Sequence, residues 1–219
     1  MGSMLKYVLV NSKKVPVPVP VRTLAEALAW LEHTLVPTGH TITRVALDEQ
    51  LIGCSAEAAL LRSLQLSASS KLEIQIESPA ELTLQTLDAT RNLSEVINGG
   101  LKFLAVACWQ ARGGAKPQEL EGVCNDLQLV LELIDHATSL LDHGAGEVAA
   151  LQGIAGLIKR TAAALGMAKA NSDWKGCARL LLNRLEPLLK DLTNETESLQ
   201  IHLMAQGGPG LARAGNQPT

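Results

Sequence analysis

Aromatic residues are nearly absent: one Phe, one Tyr and three Trp make up 2% of 219 residues. An interior without rings has to be built from aliphatic side chains, and the abundance of Leu and Ala favours helices. Charge of one sign is lacking too. Nineteen basic against 22 acidic residues leave a formal net charge of -3 with no block of like charge, which gives no general attraction to nucleic acid or to an anionic membrane. No run approaches the roughly 18 uninterrupted apolar residues that a membrane span needs. The opening MGSMLKYV lacks the apolar core of a secretory signal, Gly2-Ser3-Met4 reads as a cloning remnant, and Lys6 stands where N-myristoylation wants Ser or Thr. The expectation is a cytoplasmic protein with neither nucleic acid nor membrane as partner.

Cysteine pairs are missing as well. Cys54, Cys108, Cys124 and Cys177 are far apart and form no C-x-x-C, so neither a zinc site nor a redox pair has the spacing it requires. They read as reduced, mostly buried small apolar side chains. The sequons at Asn92 and Asn194 then carry no glycosylation meaning. Nucleophile-elbow, phosphate-loop and zinc spacings are all lacking. No catalytic, cofactor-binding or metal-ligating residue is assigned, and the expectation is that the chain is not an enzyme.

What is present divides near Ser78-Pro79. Before it, LKYVLV (Leu5 to Val10) is a β-rich run followed by a turn at Asn11-Ser12-Lys13-Lys14. In VPVPVPV, Pro16, Pro18 and Pro20 share one parity, so their missing N–H groups fall on one border while Val15, Val17, Val19 and Val21 share a face. Such a strand pairs on one side only and belongs at a sheet edge; the alternative is a polyproline II segment read by another protein. Thr23 and Glu26 fit a capping box. Leu24, Leu28, Leu31 and Leu35 then make one helical stripe, ended by Pro37 and Gly39, that should pack on a sheet. Strands follow at Thr41 to Leu47, at Leu51-Ile52-Gly53 after an Asp48-Glu49-Gln50 turn, and at Lys71 to Glu77.

This order, with a short helical turn before the last strand, resembles the ubiquitin-like β-grasp over roughly residues 4–78; RVALDEQLI and LQLSASSKLEIQI carry the pattern. The resemblance implies an edge position for the second strand. It does not extend to conjugation, because Glu77-Ser78-Pro79 replaces the free Gly-Gly terminus of that family's modifiers.

After residue 78 the reading is four leucine-rich helices, about Pro79 to Ala111, Pro117 to Asp142, Glu147 to Asn171 and Ser172 to Ala205. Short connections make an antiparallel four-helix bundle over 79–205, and the aperiodic 206–219 reads as a disordered tail. The fold class is thus α+β. The first helix should bury Leu87, Thr90, Ser94, Ile97, Leu101, Leu104 and Cys108, and Pro187 should kink the fourth. Gly99 and Gly100 each cost about 1 kcal/mol against Ala in mid-helix, for which close approach of another helix is the plain explanation. Gly144 to Ala149, GAGEVA, follows a helix and not a strand, so it reads as a turn and not as a dinucleotide fingerprint.

In the second helix Leu120, Val123, Leu127, Val130, Ile134 and Leu141 share the core face at 100° per residue. DHATSLLDH places His136 and His143 on the opposite side, two turns or about 10.5 Å apart, too far to share one metal ion at about 2.1 Å. With Asp135 and Asp142 they read as a solvated face. Leu129, Leu133 and Leu140 form a second apolar stripe beside them. Either the bundle buries this helix on two sides, or the stripe receives a partner helix or a second copy of the chain; these three leucines are the candidate partner-binding residues.

NGGLKFLAVA, LVLELIDHATSLLDHGAGEVAALQGIAGLIKRTAAAL and AKANSDWKGCARLLLNRLEPL resemble the helices of the flagellin export chaperones of bacterial-type flagella, over roughly Glu95 to Leu192. The tyrosines of that family's motifs are absent, and Leu157 and its neighbours are apolar. The resemblance implies a cytoplasmic adaptor or export chaperone that binds a helical protein partner; a homo-oligomeric structural subunit is the alternative, and an enzyme whose site is assembled between helices is the third reading.

Overall fold

The computed structural model describes residues 5–18, 20–52, 63–111, 117, 119–141 and 146–207. Val19, Cys54, the helical turn expected before the last strand, Asp142, His143, Gly144 and the tail from 208 onward lie outside the described residues. The chain is α+β, a five-stranded mixed sheet followed by five helices, and it divides into two compact units, Met1–Pro79 and Ala80–Thr219.

In the first unit β1 (Tyr7–Val10) and β2 (Lys13–Pro16) form a hairpin. Its two turn residues, Asn11 and Ser12, have φ of 47° and 65°, the left-handed pair that matches the twist of a two-residue hairpin. Asn11 does more than turn the chain. Its side chain donates to Ile76 O (2.9 Å) and accepts from Ile76 N (2.8 Å), bracing the turn against β5 (Leu72–Glu77). Helix α1 (Leu24–Thr34) starts at Thr23, whose hydroxyl accepts from Glu26 N while the Glu26 carboxylate accepts from Thr23 N. Strands β3 (Thr41–Leu47) and β4 (Gln50–Ile52) are joined by a second left-handed pair, Asp48 and Glu49.

Strand order is β2-β1-β5-β3-β4, with β1 and β5 parallel and the other pairs antiparallel. Alternation along β5 places Leu72, Ile74 and Ile76 in one core with Leu24, Ala27 and Leu31 of α1. The proline-bearing strand is at the edge, and Pro16, Pro18 and Pro20 are exposed while Val15 and Val17 pack inward and Val21 is buried. Its ladder is shorter than the valine run. Beyond Pro16 it continues as single bonds, Val17 N to Lys6 O (3.1 Å) in the hairpin's register and Leu5 N to Val21 O (3.4 Å) shifted by three residues.

The second unit comprises α2 (Pro79–Gln110), α3 (Glu119–Leu140), α4 (Gly146–Ala170), α5 (Trp174–Leu180) and α6 (Glu186–Gly207). All seven residues expected on the inner face of α2 are buried, as are Leu120, Leu127, Val130 and Ile134 of α3, with Val123 and Leu141 at the margin. Along α4, Val148, Leu151, Ile158 and Leu165 repeat near seven-residue spacing as a narrow buried seam. By length and composition α4 is long and apolar enough to cross a membrane, although no uninterrupted apolar run reaches 18 residues, since Lys159 and Arg160 fall within it.

Asp173 caps α5 by accepting from Gly176 N at 2.8 Å, after Ser172 at a φ of 55°. A Cβ at Gly176 would meet that carboxylate. Before Pro187, where the sequence predicts a kink, the chain widens into a π turn over Leu181–Leu185, with Glu186 N bonded to Leu181 O. The wider turn absorbs the proline's missing N–H and its clash with the carbonyl of Asn183. Helix α6 runs through residues 206 and 207, which the sequence pattern assigns to the tail.

Candidate protein-binding surface

The register of α2 against α3 comes from two observations. His136 Nδ1 lies 3.3 Å from Thr86 Oγ1, and Glu119 is near enough to Cys108 for its charge to act on the thiol. Residue numbers rise along one helix as they fall along the other, so the two are antiparallel. Thr86 gives its own hydroxyl proton to Leu82 O (2.8 Å), which leaves its lone pair to accept from a His136 tautomer protonated at Nδ1. His136 is exposed, as expected, yet it spans the seam between two helices rather than facing water alone.

That contact places the apolar residues around it. On α2, Leu82, Ala89 and Leu93 share the Thr86 face at i-4, i+3 and i+7; on α3, Leu140, Leu133 and Leu129 share the His136 face at i+4, i-3 and i-7. With the helices antiparallel, counting residues out from the Thr86···His136 contact sets 82, 89 and 93 at heights matching 140, 133 and 129, so the two sets of apolar residues flank the same polar rung on the outer side of the α2–α3 seam. Leu129 is 47% exposed, Leu133 and Leu140 are half-buried, and none of the three belongs to the buried core. Leu82 and Leu93 are half-buried and Ala89 exposed.

A second apolar face was not read from the sequence. Val96, Phe103 and Val106 of α2 are 72%, 84% and 52% exposed, on the side of the helix away from its buried face. Gly99 and Gly100 lie among them, and a Cβ at either meets nothing within 4 Å. Among the described residues no helix makes the close approach to these glycines that the sequence predicts. A signal for this face exists in the sequence as 100° spacing. Val96 and Phe103, seven residues apart, point well away from the stripe of Ile97, Leu101 and Leu104, and a reading that assigns the helix a single apolar face passes over them.

Thiol chemistry is disfavoured at the cysteines that are described. Cys108 and Cys177 are buried and Cys124 is partly so. Burial, with the charges of Cys177 and Glu119 adding to it, pushes the Cys108 thiol up from 9.0 to about 11. Burial likewise raises Cys124, which Lys169 partly offsets, and raises Cys177 together with nearby Asp173. All three thus remain thiols near neutral pH, the unreactive form. Among the described residues no group of three or more His, Cys, Asp or Glu could hold a metal ion. The chemistry available on the α2–α3 face is burial of a partner's apolar surface. No protein-family model, no curated protein and no solved structure matches the chain.

Proposed function

We propose that this is a non-catalytic protein-interaction protein, a cytoplasmic adaptor or export chaperone, whose α2–α3 groove receives an apolar helix of a partner. What supports this reading is that Leu129, Leu133 and Leu140 lie outside the core, on the α3 flank that the Thr86···His136 contact turns toward Leu82, Ala89 and Leu93 of α2. A groove lined by leucines on two antiparallel helices fits one amphipathic helix presenting residues at i, i+3 or i+4, and i+7. The order β2-β1-β5-β3-β4, with parallel central strands and α1 between β2 and β3, supports a ubiquitin-like β-grasp for the first unit. Long helices sharing one core support an antiparallel four-helix bundle of flagellin-chaperone type for the second.

The test is selection of binders from a displayed library of amphipathic helical peptides against the full chain. The reading predicts recovered sequences with apolar residues at i, i+3 or i+4, and i+7, whose binding is lost on Leu133→Asp. Recovery of only extended or polar peptides, or of helical peptides indifferent to Leu133→Asp, contradicts it.

A further inference from the structure

We propose that two copies of this chain pair through the outer face of α2, antiparallel, about a two-fold axis passing between Gly99 and Gly100. Ala89, Val96 and Phe103 share one row of α2 at seven-residue spacing, so this surface adjoins the α2–α3 groove; it is distinguished from the groove by lying farther along α2 and by using no residue of α3.

Three features of that face lead to a second copy rather than to an unrelated partner. First, the two glycines cost about 1 kcal/mol each in helix propensity, and among the described residues nothing lies within 4 Å of a Cβ at either. Small residues on a helix face matter where a second backbone comes closer than the usual ~8–10 Å, and here that backbone has to be intermolecular.

Second, the apolar residues are arranged symmetrically about the glycines. Val96 lies 3.5 residues before the midpoint of Gly99-Gly100 and Phe103 lies 3.5 residues after it. A two-fold axis at that midpoint sets Val96 of each copy level with Phe103 of the other, about 5 Å to either side along the helix. Each Phe103 ring then enters the gap that Gly99 leaves between Asn92 and Val96 of the other copy. Self-complementarity of this kind is what an isologous interface requires.

Third, the charges match. Glu95 and Lys102 lie on the same flank of the stripe, and antiparallel two-fold pairing brings like flanks together. Glu95 of one copy and Lys102 of the other are then offset by two residues, about 3 Å along the axis, within reach of two long side chains. Lys102 is 76% exposed on its side chain and paired with Glu186 at 4.0 Å, a carboxylate that Lys190 also holds at 2.8 Å, so Glu186 keeps a partner when Lys102 turns to Glu95 of the other copy.

The two-fold sets Val106 of one copy level with Leu93 of the other, so the contact spans residues 93 to 106 of each, about 20 Å of helix; the dimer belongs with small interfaces below about 1,200 Å² and dissociates on dilution. Sedimentation velocity of the full chain across a dilution series tests it. The wild type should pass from monomer to dimer as concentration rises. Phe103→Glu should be monomeric throughout with an unchanged helical circular dichroism signal. Glu95→Lys and Lys102→Glu should each weaken the dimer at least about threefold, and the double variant should recover it. Leu133→Asp, in the adjoining groove, should dimerise like the wild type. A wild type monomeric at every concentration overturns the proposal, as does a dimer that survives Phe103→Glu or charge reversals that fail to compensate; a dimer lost on Leu133→Asp overturns it too, by assigning self-association to the α3 stripe.

Discussion

Leu133 and Ile134 are adjacent in sequence and meet opposite surroundings. Ile134 is 1% exposed in the core of the second unit, and Leu133 is half-buried on its outer face. Aspartate at 133 removes about half of the ~1.5–3 kcal/mol that full burial of a leucine contributes, and adds about 0.5 kcal/mol of lost helix propensity. The sum, about 1.5 kcal/mol, is small beside a typical ~5–15 kcal/mol of folding stability. Aspartate at 134 forfeits the whole transfer term and places an unpaired carboxylate among Leu127, Val130 and Ala137, which costs several kcal/mol more. Far-ultraviolet circular dichroism through a urea titration should therefore show Leu133→Asp folded with a slightly earlier midpoint, and Ile134→Asp with the second unit unfolded or nearly so. Helical-peptide binding should vanish in Leu133→Asp although it folds. Loss of helicity in Leu133→Asp comparable to that in Ile134→Asp would place Leu133 in the core and remove the groove.

Other consequences follow from particular contacts. Asn11→Ala deletes two side-chain bonds to Ile76 and leaves a Cβ at positive φ, about 3 kcal/mol in all, whereas Asn11→Gly relieves the backbone and loses about 2; the Trp30 indole resonance of α1, followed through denaturation, should report that order, and equal losses would refute it. The Cys108 pKa, raised from 9.0 to about 11 on folding, favours the native state fully below pH 9 and progressively less as pH rises to about 11. Stability should fall across that window, less steeply in Cys108→Ala, and an identical slope in both would contradict the assignment. Iodoacetamide at about pH 8, below even the ordinary thiol value of 9.0, should leave Cys108 and Cys177 unmodified by mass spectrometry until denaturant is added. Gly122→Ala, at an exposed position of α3 with nothing within 4 Å of the new Cβ, should stabilise by about 0.5–1 kcal/mol and raise Tm by about 1–4 °C; a lower Tm would mean that Gly122 is needed for packing.

Local pattern made some parts of this chain readable and left others hidden. Strand β3 falls at Thr41–Leu47 as read, and the inner face of α2 is buried at every expected position, because each depends only on a repeat of two or 3.6 residues. Thr23 and Glu26 cap α1 through chemistry that is complete within four residues. The response to Pro187 was less accessible. Proline dictates that a bond be lost, while the surrounding helix decides how the loss is accommodated, and here a π turn forms over Leu181–Leu185. Gly99 and Gly100 show the same limit from the other direction: sequence reveals their cost, but only coordinates show that none of the described residues lies within 4 Å of a Cβ there. The three leucines of α3 could be recognised as off the core by angle. Their alignment with Leu82, Ala89 and Leu93 depends on the inter-helix register, which the Thr86···His136 contact supplies and no local pattern contains.

The most direct measurement of the central claim is the footprint of a selected helical peptide on the full chain, read from leucine methyl resonances. The account predicts saturable shifts concentrated at Leu82, Leu93, Leu129, Leu133 and Leu140, with the methyls of Leu72 and Leu51 in the sheet unmoved. Shifts confined to the sheet, or spread evenly over both units, would contradict it.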